Sequence, residues 1–159
     1  MPMIRSLYPP DWDAISHAVK DRAGWRCESC GVAHRARIIR SRSDRARYLI
    51  VGDGEDDYYT PEGHMLRTED VPEDYDIYDG MITVYLTVHH VGVQHADGSP
   101  GDPGDKLDNR PENLRCLCQR CHLLADLPLH IQSRRQTRWK HKRQRILAAG
   151  QTELFDEGT

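Results

Sequence analysis

Apolar and polar residues alternate most regularly over residues 81–91, MITVYLTVHHV. Every second residue from Ile82 to Val88 is apolar, so these side chains share one face of an extended segment. His89 belongs to the other, more polar face. The pattern predicts a strand that ends in two histidines, and strand geometry directs His89 and His90 to opposite sides of it.

Residues 8–25, YPPDWDAISHAVKDRAGW, have the spacing of an amphipathic helix. Trp12, Ile15 and Val19 recur at i, i+3 and i+7 and form one apolar stripe. Asp11 follows two prolines and can cap the helix, and a glycine after the stripe can end it. We therefore predict an N-terminal helix here.

The remaining elements are shorter or less regular. Residues 48–51, YLIV, predict a short strand, and residues 96–114 predict a long loop rich in Gly, Pro and Asp. After this loop the apolar spacing becomes helical, which predicts a short helix over residues 121–130 that Pro128 ends or kinks. Good helix formers predict a last, basic helix over residues 131–149.

Charge is distributed unevenly along the 159 residues, although the formal net charge is only −3. Residues 52–80 hold eleven acids and one base, and we expect this segment to be an exposed acidic insertion, which its tyrosines can pin to the body: Tyr58, Tyr59, Tyr75 and Tyr78. It can bind a protein partner, limit nonspecific DNA binding or have no specific role. Residues 133–145 hold seven Arg or Lys and no acid, and residues 34–47 are also basic. Each basic block fits either a solvated face or a surface that binds phosphates.

The composition limits the core. The chain has a single Phe and 30% charged residues, so few large apolar side chains are available. Its length indicates one domain, or one domain with tails, and domains with small cores often bind a metal or form disulfides. No N-terminal targeting segment is evident, and no apolar run approaches the ~20 residues of a membrane span. We therefore expect a cytoplasmic protein with no membrane partner, in which paired cysteines hold metal.

Four of the five cysteines form two CxxC pairs, Cys27 with Cys30 and Cys118 with Cys121. Each pair can place two thiolates on one tetrahedral zinc through a tight turn. Because 87 residues separate the pairs, they must meet across the fold. We predict a structural Zn²⁺ bound by all four, with free thiols or a redox pair as the alternatives. The fifth, Cys116, fits a small buried residue.

His122 follows Cys121 directly, but neighbours on a helix point about 100° apart, so His122 is placed to bind a second ion. Asp126 lies four residues further on, on the same helix face, which is the spacing by which a helix presents two ligands to one metal. Taken alone, this pair fits better a histidine that packs and an aspartate that caps or is solvated. The motifs around this pair favour metal binding instead.

Together these motifs resemble the HNH endonucleases, which have the ββα-metal fold. The matching motifs are Trp-Arg-Cys-x2-Cys-Gly at residues 25–31, the strand ending in His-His, Glu-Asn-Leu at residues 112–114 and Leu-Cys-x2-Cys-His at residues 117–122. Their order and local spacing match. The resemblance covers residues 9–127 apart from the acidic segment. The stretches before and after the His-His strand are both longer than is usual in the family.

The resemblance implies a small α+β fold: a ββα-metal (HNH, or His-Me finger) core with a structural four-cysteine zinc, an N-terminal helix and a C-terminal basic helix. Residues 1–132 would form the nuclease domain, with the acidic insertion at about 52–80. Residues 133–159 would form the basic helix and a tail.

The resemblance also implies a role for each matching residue. His90 corresponds to the general base that activates water. His89 and His122 correspond to ligands of a catalytic divalent metal, which can be Mg²⁺, Mn²⁺, Ni²⁺ or Zn²⁺. Asp126 fits the position of a further ligand. Asn113 corresponds to the asparagine that braces the loop by hydrogen bonds to the backbone.

Two features of the same region complete the correspondence. Asn109 is a rival for the role of the bracing asparagine, although its surroundings fit that role less well. The four paired cysteines correspond to the structural zinc of one subgroup of the family, and their positions are Cys27, Cys30, Cys118 and Cys121.

The function implied is that of a metal-dependent endonuclease, a DNase or nickase, which hydrolyses phosphodiester bonds in double-stranded DNA. The alternative is a zinc-stabilised nucleic-acid- or protein-binding module that has lost catalysis, and a thiol redox protein is a distant third. The compact chain fits a bacterial or phage-encoded protein. Cations near the motif and on the basic helix can contact the DNA backbone: Arg110, Arg115, Arg134, Arg135, Arg138, Lys140, Lys142 and Arg143.

Overall fold

The structure, a computed structural model, describes residues 4–54 and 57–148 of the chain. These residues form a small mixed α+β architecture with two α-helices and two antiparallel sheets. The chain divides into two units, Met1–His122 and Leu123–Thr159. The predicted functional boundary at residue 132 stays a prediction. Short 3-10 turns lie at Arg5–Leu7, Thr68–Asp70 and Pro111–Asn113.

Helix α1 spans Trp12–Arg22 and carries the predicted apolar stripe. Trp12 and Val19 are buried, and Ile15 packs against the same core. Asp11 occupies the N-cap position, but its side chain makes no capping hydrogen bond. Burial of the stripe, rather than the cap, therefore stabilises this helix.

Five short strands form one antiparallel sheet in the order β4-β3-β2-β1-β5. Strand β2 coincides with the strand predicted at residues 48–51, which is confirmed. The five strands, in chain order from β1 to β5, are Arg37–Arg40, Tyr48–Val51, Tyr58–Tyr59, Met65–Leu66 and Ile82–Thr83.

Strand β1 lies inside the basic segment 34–47, for which the sequence indicated only a charged surface. Its central residues, Ile38 and Ile39, are fully buried and point to opposite faces of the sheet. Each enters a different apolar cluster. Two adjacent isoleucines between arginines show no alternation, so the pattern missed a strand that is buried on both faces.

The acidic segment 52–80 is not simply an exposed insertion. It contributes β3 and β4 to the five-stranded sheet. Tyr58 and Tyr75 are buried in the apolar cluster that contains Ile39, whereas Tyr78 is exposed. The segment therefore completes a second small core, to which Tyr58 and Tyr75 anchor it.

The strand predicted over residues 81–91 is two strands in different sheets, so the prediction of one continuous strand is wrong. Its first part is β5, and its second part, Leu86–His90, is β6 of a separate two-stranded sheet. Between them, the Val84 N–H donates to the Ala36 carbonyl (2.9 Å). The Tyr85 N–H instead donates to the side-chain oxygen of Gln119 (3.1 Å), so the strand pairing ends there. Val84 and Leu86 of the apolar face are buried but Ile82 is exposed, because alternation does not report which strand pairs with which.

Strand β7, Leu114–Cys118, pairs antiparallel with β6. The sequence predicted helical spacing directly after Asn113, and that prediction is wrong for these five residues. Every second residue of β7 is buried, but Leu117 on the opposite face is buried as well, which obscured the alternation. The side chain of Arg22 ties the hairpin to α1 by donating to the Leu114 carbonyl (2.7 Å).

Helix α2, Gln119–Ala148, starts immediately after β7 and continues through Pro128. The short helix predicted over residues 121–130 and the basic helix predicted over residues 131–149 are therefore parts of one helix. An interior proline costs about 3 kcal/mol, but good helix formers flank it on both sides. The predicted tail after residue 148 lies outside the described residues. Among the described residues, no helix contains an apolar stretch sufficient to cross a membrane.

Candidate metal centre and active site

The two histidines at the end of β6 lie on opposite faces of the hairpin. His89 is paired with Arg115 of β7, and His90 is paired with Leu114. Residues directly opposite one another on antiparallel strands share a face. His90 therefore lies on the face that carries the buried Leu114, and His89 lies on the face that carries the exposed Arg115.

His122 lies in the first turn of α2, where its ring meets that of His89. The ring centroids are 4.8 Å apart with an interplanar angle of 72°. The two residues offer ligand atoms within 4.8 Å of each other. On the helix itself, Asp126 follows one turn later and offers a carboxylate oxygen within the same distance of the His122 ligand atom. Two imidazole nitrogens this close to each other can bind one divalent cation.

Thr87, two residues before His89 on the same face of β6, contacts His122. Its Oγ1 lies 2.7 Å from Nδ1 of His122 and donates to the carbonyl oxygen of Leu117 at 3.1 Å. The sequence pattern did not indicate this contact, because it depends on how β6 and the start of α2 pack together. Thr87 is thus a residue of the site that sequence reasoning missed.

His90 is 2% exposed and lies against two aromatic side chains. Its ring stacks on that of Trp12, with centroids 5.4 Å apart and an interplanar angle of 15°, and the Tyr8 ring lies 6.2 Å away. Burial lowers the pKa of His90, and the nearby Lys106 lowers it further. Both effects disfavour the imidazolium, so the neutral imidazole predominates at physiological pH.

Nε2 of His90 is buried and has no hydrogen-bond partner among the described residues. The same is true of Oδ1 of Asn109, whose amide nitrogen donates to the Leu107 carbonyl (3.0 Å). The Asn109 side chain raises the pKa of His90, as an acceptor near the imidazolium does, against the larger effect of burial. Asn109 therefore belongs to the surroundings of His90.

Asn113 is fully buried and holds both ends of the loop between β6 and β7. Its Oδ1 accepts hydrogen bonds from the N–H groups of Gly92 (2.7 Å) and Val93 (2.9 Å). Its amide nitrogen donates to the Asp108 carbonyl (2.9 Å). These are backbone hydrogen bonds of the kind that the resemblance implies for this asparagine.

The loop packs tightly directly after His90. Gly92 has φ +76°, which favours glycine, and a Cβ there would lie 2.6 Å from Cδ of Pro103. A larger residue at position 92 would therefore be strained and would displace the loop. The sequence marked this loop only as rich in glycine and proline.

Arg110 braces the same loop from the other side. It donates to both carboxylate oxygens of Asp108 (2.8 Å each) and to the Val93 carbonyl (2.9 Å). These hydrogen bonds lower the pKa of Asp108 to about 2, because they favour the ionised carboxylate. The guanidinium of Arg110 is therefore already hydrogen-bonded within the loop, and its predicted contact with phosphate stays a prediction.

The other predicted DNA-contacting residues are exposed. Arg115 lies beside His89 on the polar face of the hairpin. The rest belong to the second unit, where they lie along α2 in a segment without acidic residues: Arg134, Arg135, Arg138, Lys140, Lys142 and Arg143.

The two CxxC pairs meet, as the sequence predicted. The sulfur atoms of Cys27, Cys30, Cys118 and Cys121 all lie within 4.8 Å of one another, and none forms a disulfide. The Cys30 and Cys118 sulfurs are 3.8 Å apart. Four sulfurs bound tetrahedrally to zinc at ~2.3 Å would be separated by roughly the same distance. The cluster is therefore a candidate metal site with four sulfur donors.

Local structure explains how each pair reaches the cluster. The first pair lies in a turn closed by the Gly31 N–H, which donates to the Cys27 carbonyl (2.8 Å) with Gly31 at φ +73°. In the second pair, Cys118 ends β7 and Cys121 lies in the first turn of α2. The sulfur cluster and the His89–His122 pair thus share the junction between β7 and α2.

The clustered thiols shift one another's pKa. Hydrogen bonds from Cys118 and Cys30 lower the pKa of Cys27, whereas contact with Cys118 and Cys27 raises the pKa of Cys30. A bound cation would offset the repulsion and allow all four thiolates to form. Cys116 lies apart, fully buried in the core, and burial raises its pKa to about 11. The prediction that it is a small core residue is confirmed.

Comparison with known proteins found no matching family model, no matching curated protein and no matching solved structure. Two side-chain arrangements of the described residues are candidate sites. The first is the four-sulfur cluster. The second is the strand end at which His89 faces His122 and His90 faces Trp12.

Proposed function

We propose that the protein is a metal-dependent endonuclease of the HNH type that hydrolyses phosphodiester bonds in double-stranded DNA. The observation that carries this proposal is that the two histidines at the end of β6 contact different groups on opposite faces of the strand: His89 faces His122, while His90 faces Trp12. A metal ligand and a general base must be close to the same phosphate and yet separate from each other. We further propose that β6, β7 and the start of α2 form a ββα-metal core.

Two metal sites follow from the donor atoms. His89, His122 and Asp126 would hold the catalytic ion, which when bound supplies Lewis-acid stabilisation of the phosphate and the leaving oxygen. Two imidazoles and a carboxylate are compatible with Mg²⁺, Mn²⁺, Ni²⁺ or Zn²⁺. Four clustered thiols, three of them on buried cysteines, are soft donors that favour zinc, so we assign a structural Zn²⁺ to the cysteine cluster.

Neutral His90 serves as the general base. It accepts a proton from water, the water oxygen attacks phosphorus, the bond to the leaving oxygen breaks, and that oxygen takes a proton from solvent. A positioned base typically contributes about 10²–10⁴-fold to the rate.

Positively charged side chains would position the DNA. Arg115 is exposed and lies opposite His89 in the hairpin, which suits contact with the scissile phosphate. The exposed cations of α2 suit contacts with neighbouring phosphates, and such contacts give salt-dependent binding without sequence preference. The acidic segment 52–80 would repel DNA, and we assign it to a protein partner.

The test is a nicking assay. Zinc-loaded protein is incubated with supercoiled plasmid and Mg²⁺ or Mn²⁺, and conversion to nicked circles is followed on a gel. We expect His90→Ala to lower the rate by about 10²–10⁴-fold. The matched control is His64→Ala, since His64 is an exposed histidine in the acidic segment. Equal rates for wild type and His90→Ala with every metal would reject the proposed role of His90.

A second candidate function is a zinc-stabilised nucleic-acid-binding module without catalysis. It is favoured by the 2% exposure of His90 beneath Trp12 and Tyr8, which restricts the access of water to the ring. This module would bind DNA through α2 and contain one zinc per chain. It would cleave no plasmid with any divalent metal and would bind no second ion.

A further inference from the structure

Thr87 contacts two groups with a single hydroxyl. Its Oγ1 lies 2.7 Å from Nδ1 of His122 and 3.1 Å from the carbonyl oxygen of Leu117. Thr87 and Leu117 are directly paired in the β6–β7 register, which fixes the second distance. The first distance depends on the start of α2, where His122 follows the cysteine cluster.

Proton counting assigns both hydrogen bonds. A hydroxyl has one proton to donate, and a carbonyl oxygen can only accept. If the Thr87 proton goes to Leu117, a lone pair of Oγ1 is left to accept a proton from Nδ1 of His122. If instead the proton went to Nδ1, two oxygen atoms would face each other at 3.1 Å with no proton between them. Only the first arrangement makes both contacts hydrogen bonds.

This arrangement fixes the tautomer of His122. A neutral imidazole has one protonated nitrogen and one nitrogen with a lone pair. With the proton on Nδ1 and directed at Thr87, the lone pair lies on Nε2. Metal-ligating histidines are usually oriented in this way, through a hydrogen bond from the nitrogen that does not bind the metal.

We propose that Thr87 is a positioning residue for metal binding: it holds neutral His122 as the Nδ1–H tautomer and so makes Nε2 the ligand atom. The metal-binding part of this inference rests on the proposed function, whereas the tautomer does not. Thr87 and His89 lie two residues apart on one face of β6, so the same strand supplies one ligand and orients the other.

The first experiment reads the tautomer without metal or DNA at the histidine site. Long-range ¹H–¹⁵N correlation spectra of the full-length, zinc-loaded protein at about pH 8, where an ordinary histidine is neutral, distinguish protonated from unprotonated ring nitrogens. His122→Gln identifies the His122 signals. We expect the Nδ1–H form in wild type and in Thr87→Ser, and a shift toward the Nε2–H form in Thr87→Val. An Nε2–H form in wild type, or identical spectra for Thr87→Val and wild type, would overturn the role of Thr87.

The second experiment measures Mn²⁺ affinity of the same zinc-loaded proteins by calorimetry. Loss of an outer hydrogen-bond partner of a ligand typically costs about 10–100-fold in metal affinity, and we expect that loss in Thr87→Val but not in Thr87→Ser. Thr83→Val, an exposed threonine of β5, is the matched control. Unchanged affinity in Thr87→Val would also overturn the role of Thr87.

The two experiments separate this inference from the proposed function. If wild type shows the Thr87-dependent tautomer but binds no Mn²⁺, the proposed nuclease loses its metal site, and Thr87 loses its metal-binding role with it. If wild type binds Mn²⁺ and nicks plasmid while Thr87→Val retains the wild-type tautomer, only the role of Thr87 is overturned.

Discussion

The imidazole of His90 stacks on the indole of Trp12, 5.4 Å away and nearly parallel to it. The next residue back along the strand, His89, instead meets His122 on the other face. Two adjacent and chemically identical side chains therefore have different surroundings, one apolar and one polar. Because burial disfavours the charged imidazole, His90 is kept neutral, whereas His89 has a neighbour with which it can share a cation.

Substitution of these two histidines should have unequal effects. Loss of a residue that only hydrogen-bonds to a metal ligand typically lowers metal affinity by about 10–100-fold. Because His89→Ala removes a ligand itself, we expect it to lower Mn²⁺ affinity by at least that factor. His90→Ala should retain Mn²⁺ binding and lose plasmid nicking. Calorimetry and the nicking assay on zinc-loaded protein measure the two properties separately. Equal loss of Mn²⁺ binding in both variants would show that the roles are assigned wrongly.

The features predicted correctly from the sequence are those that local spacing determines. The i, i+3, i+7 stripe of α1 packs as expected, with Trp12 and Val19 buried. The four cysteines meet although 87 residues separate the pairs, because metal-ligand spacing of the CxxC type constrains which sulfurs come together. The opposite orientation of His89 and His90 follows from the two-residue period of a strand.

The features that sequence reasoning missed depend on pairing between distant segments. Ile38 and Ile39 read as part of a charged segment, since burial on both faces leaves no alternation. Leu117, buried on the second face of β7, gave that strand a helical appearance. The contact of Thr87 with His122 required the packing of a strand against a helix 35 residues later. No local period reports such contacts.

The pH dependence of nicking should follow the neutral form of His90. Burial lowers its pKa below the ordinary value, and Lys106 contributes in the same direction. The rate should therefore be level near neutral pH and fall only as the pH drops through this lowered pKa. Removing the positive charge in Lys106→Gln should raise the pKa and move the acid limb of kcat/KM to higher pH, whereas Lys106→Arg should leave it in place. A limb that moves to lower pH in Lys106→Gln would contradict the assignment.

Asn113 should contribute to both stability and activity. Its three hydrogen bonds hold the backbone at Gly92, Val93 and Asp108, and the side chain is fully buried. Asn113→Ala leaves these groups without a partner, so we expect a loss of about 1–3 kcal/mol in the free energy of unfolding, measured with urea in zinc-containing buffer. Nicking should fall as well, since the loop follows His90 directly. Gln94→Ala is the control, because Gln94 is exposed in the same loop, loses one exposed hydrogen bond and should change stability little.

The cations of α2 should set the salt dependence of DNA binding. Replacing Arg134 and Arg138 with Gln should weaken binding of unrelated duplexes to a similar degree. It should also reduce the slope of log K against log salt by about 0.9 for each phosphate that is no longer neutralised. The matched control replaces Arg45 and Arg47, two exposed arginines of the other basic segment. Fluorescence anisotropy at several salt concentrations measures both quantities. If the slope of log K against log salt is unchanged in the α2 variant, DNA does not bind at these arginines.

Removal of one cysteine should distinguish the four clustered thiols from the fifth. Cys30→Ser and Cys118→Ser should each lose the zinc and with it the folded state, since binding of structural zinc typically contributes about 10–16 kcal/mol. Cys116→Ala should retain one zinc per chain and lose only core packing, because Cys116 is buried outside the cluster. Zinc content by mass spectrometry and unfolding by circular dichroism measure the two effects. Because β7 and α2 carry both Cys118 and His122, chelation of the structural zinc should also abolish Mn²⁺ binding at the histidines. Mn²⁺ binding that survives complete removal of zinc would show that the two sites are independent.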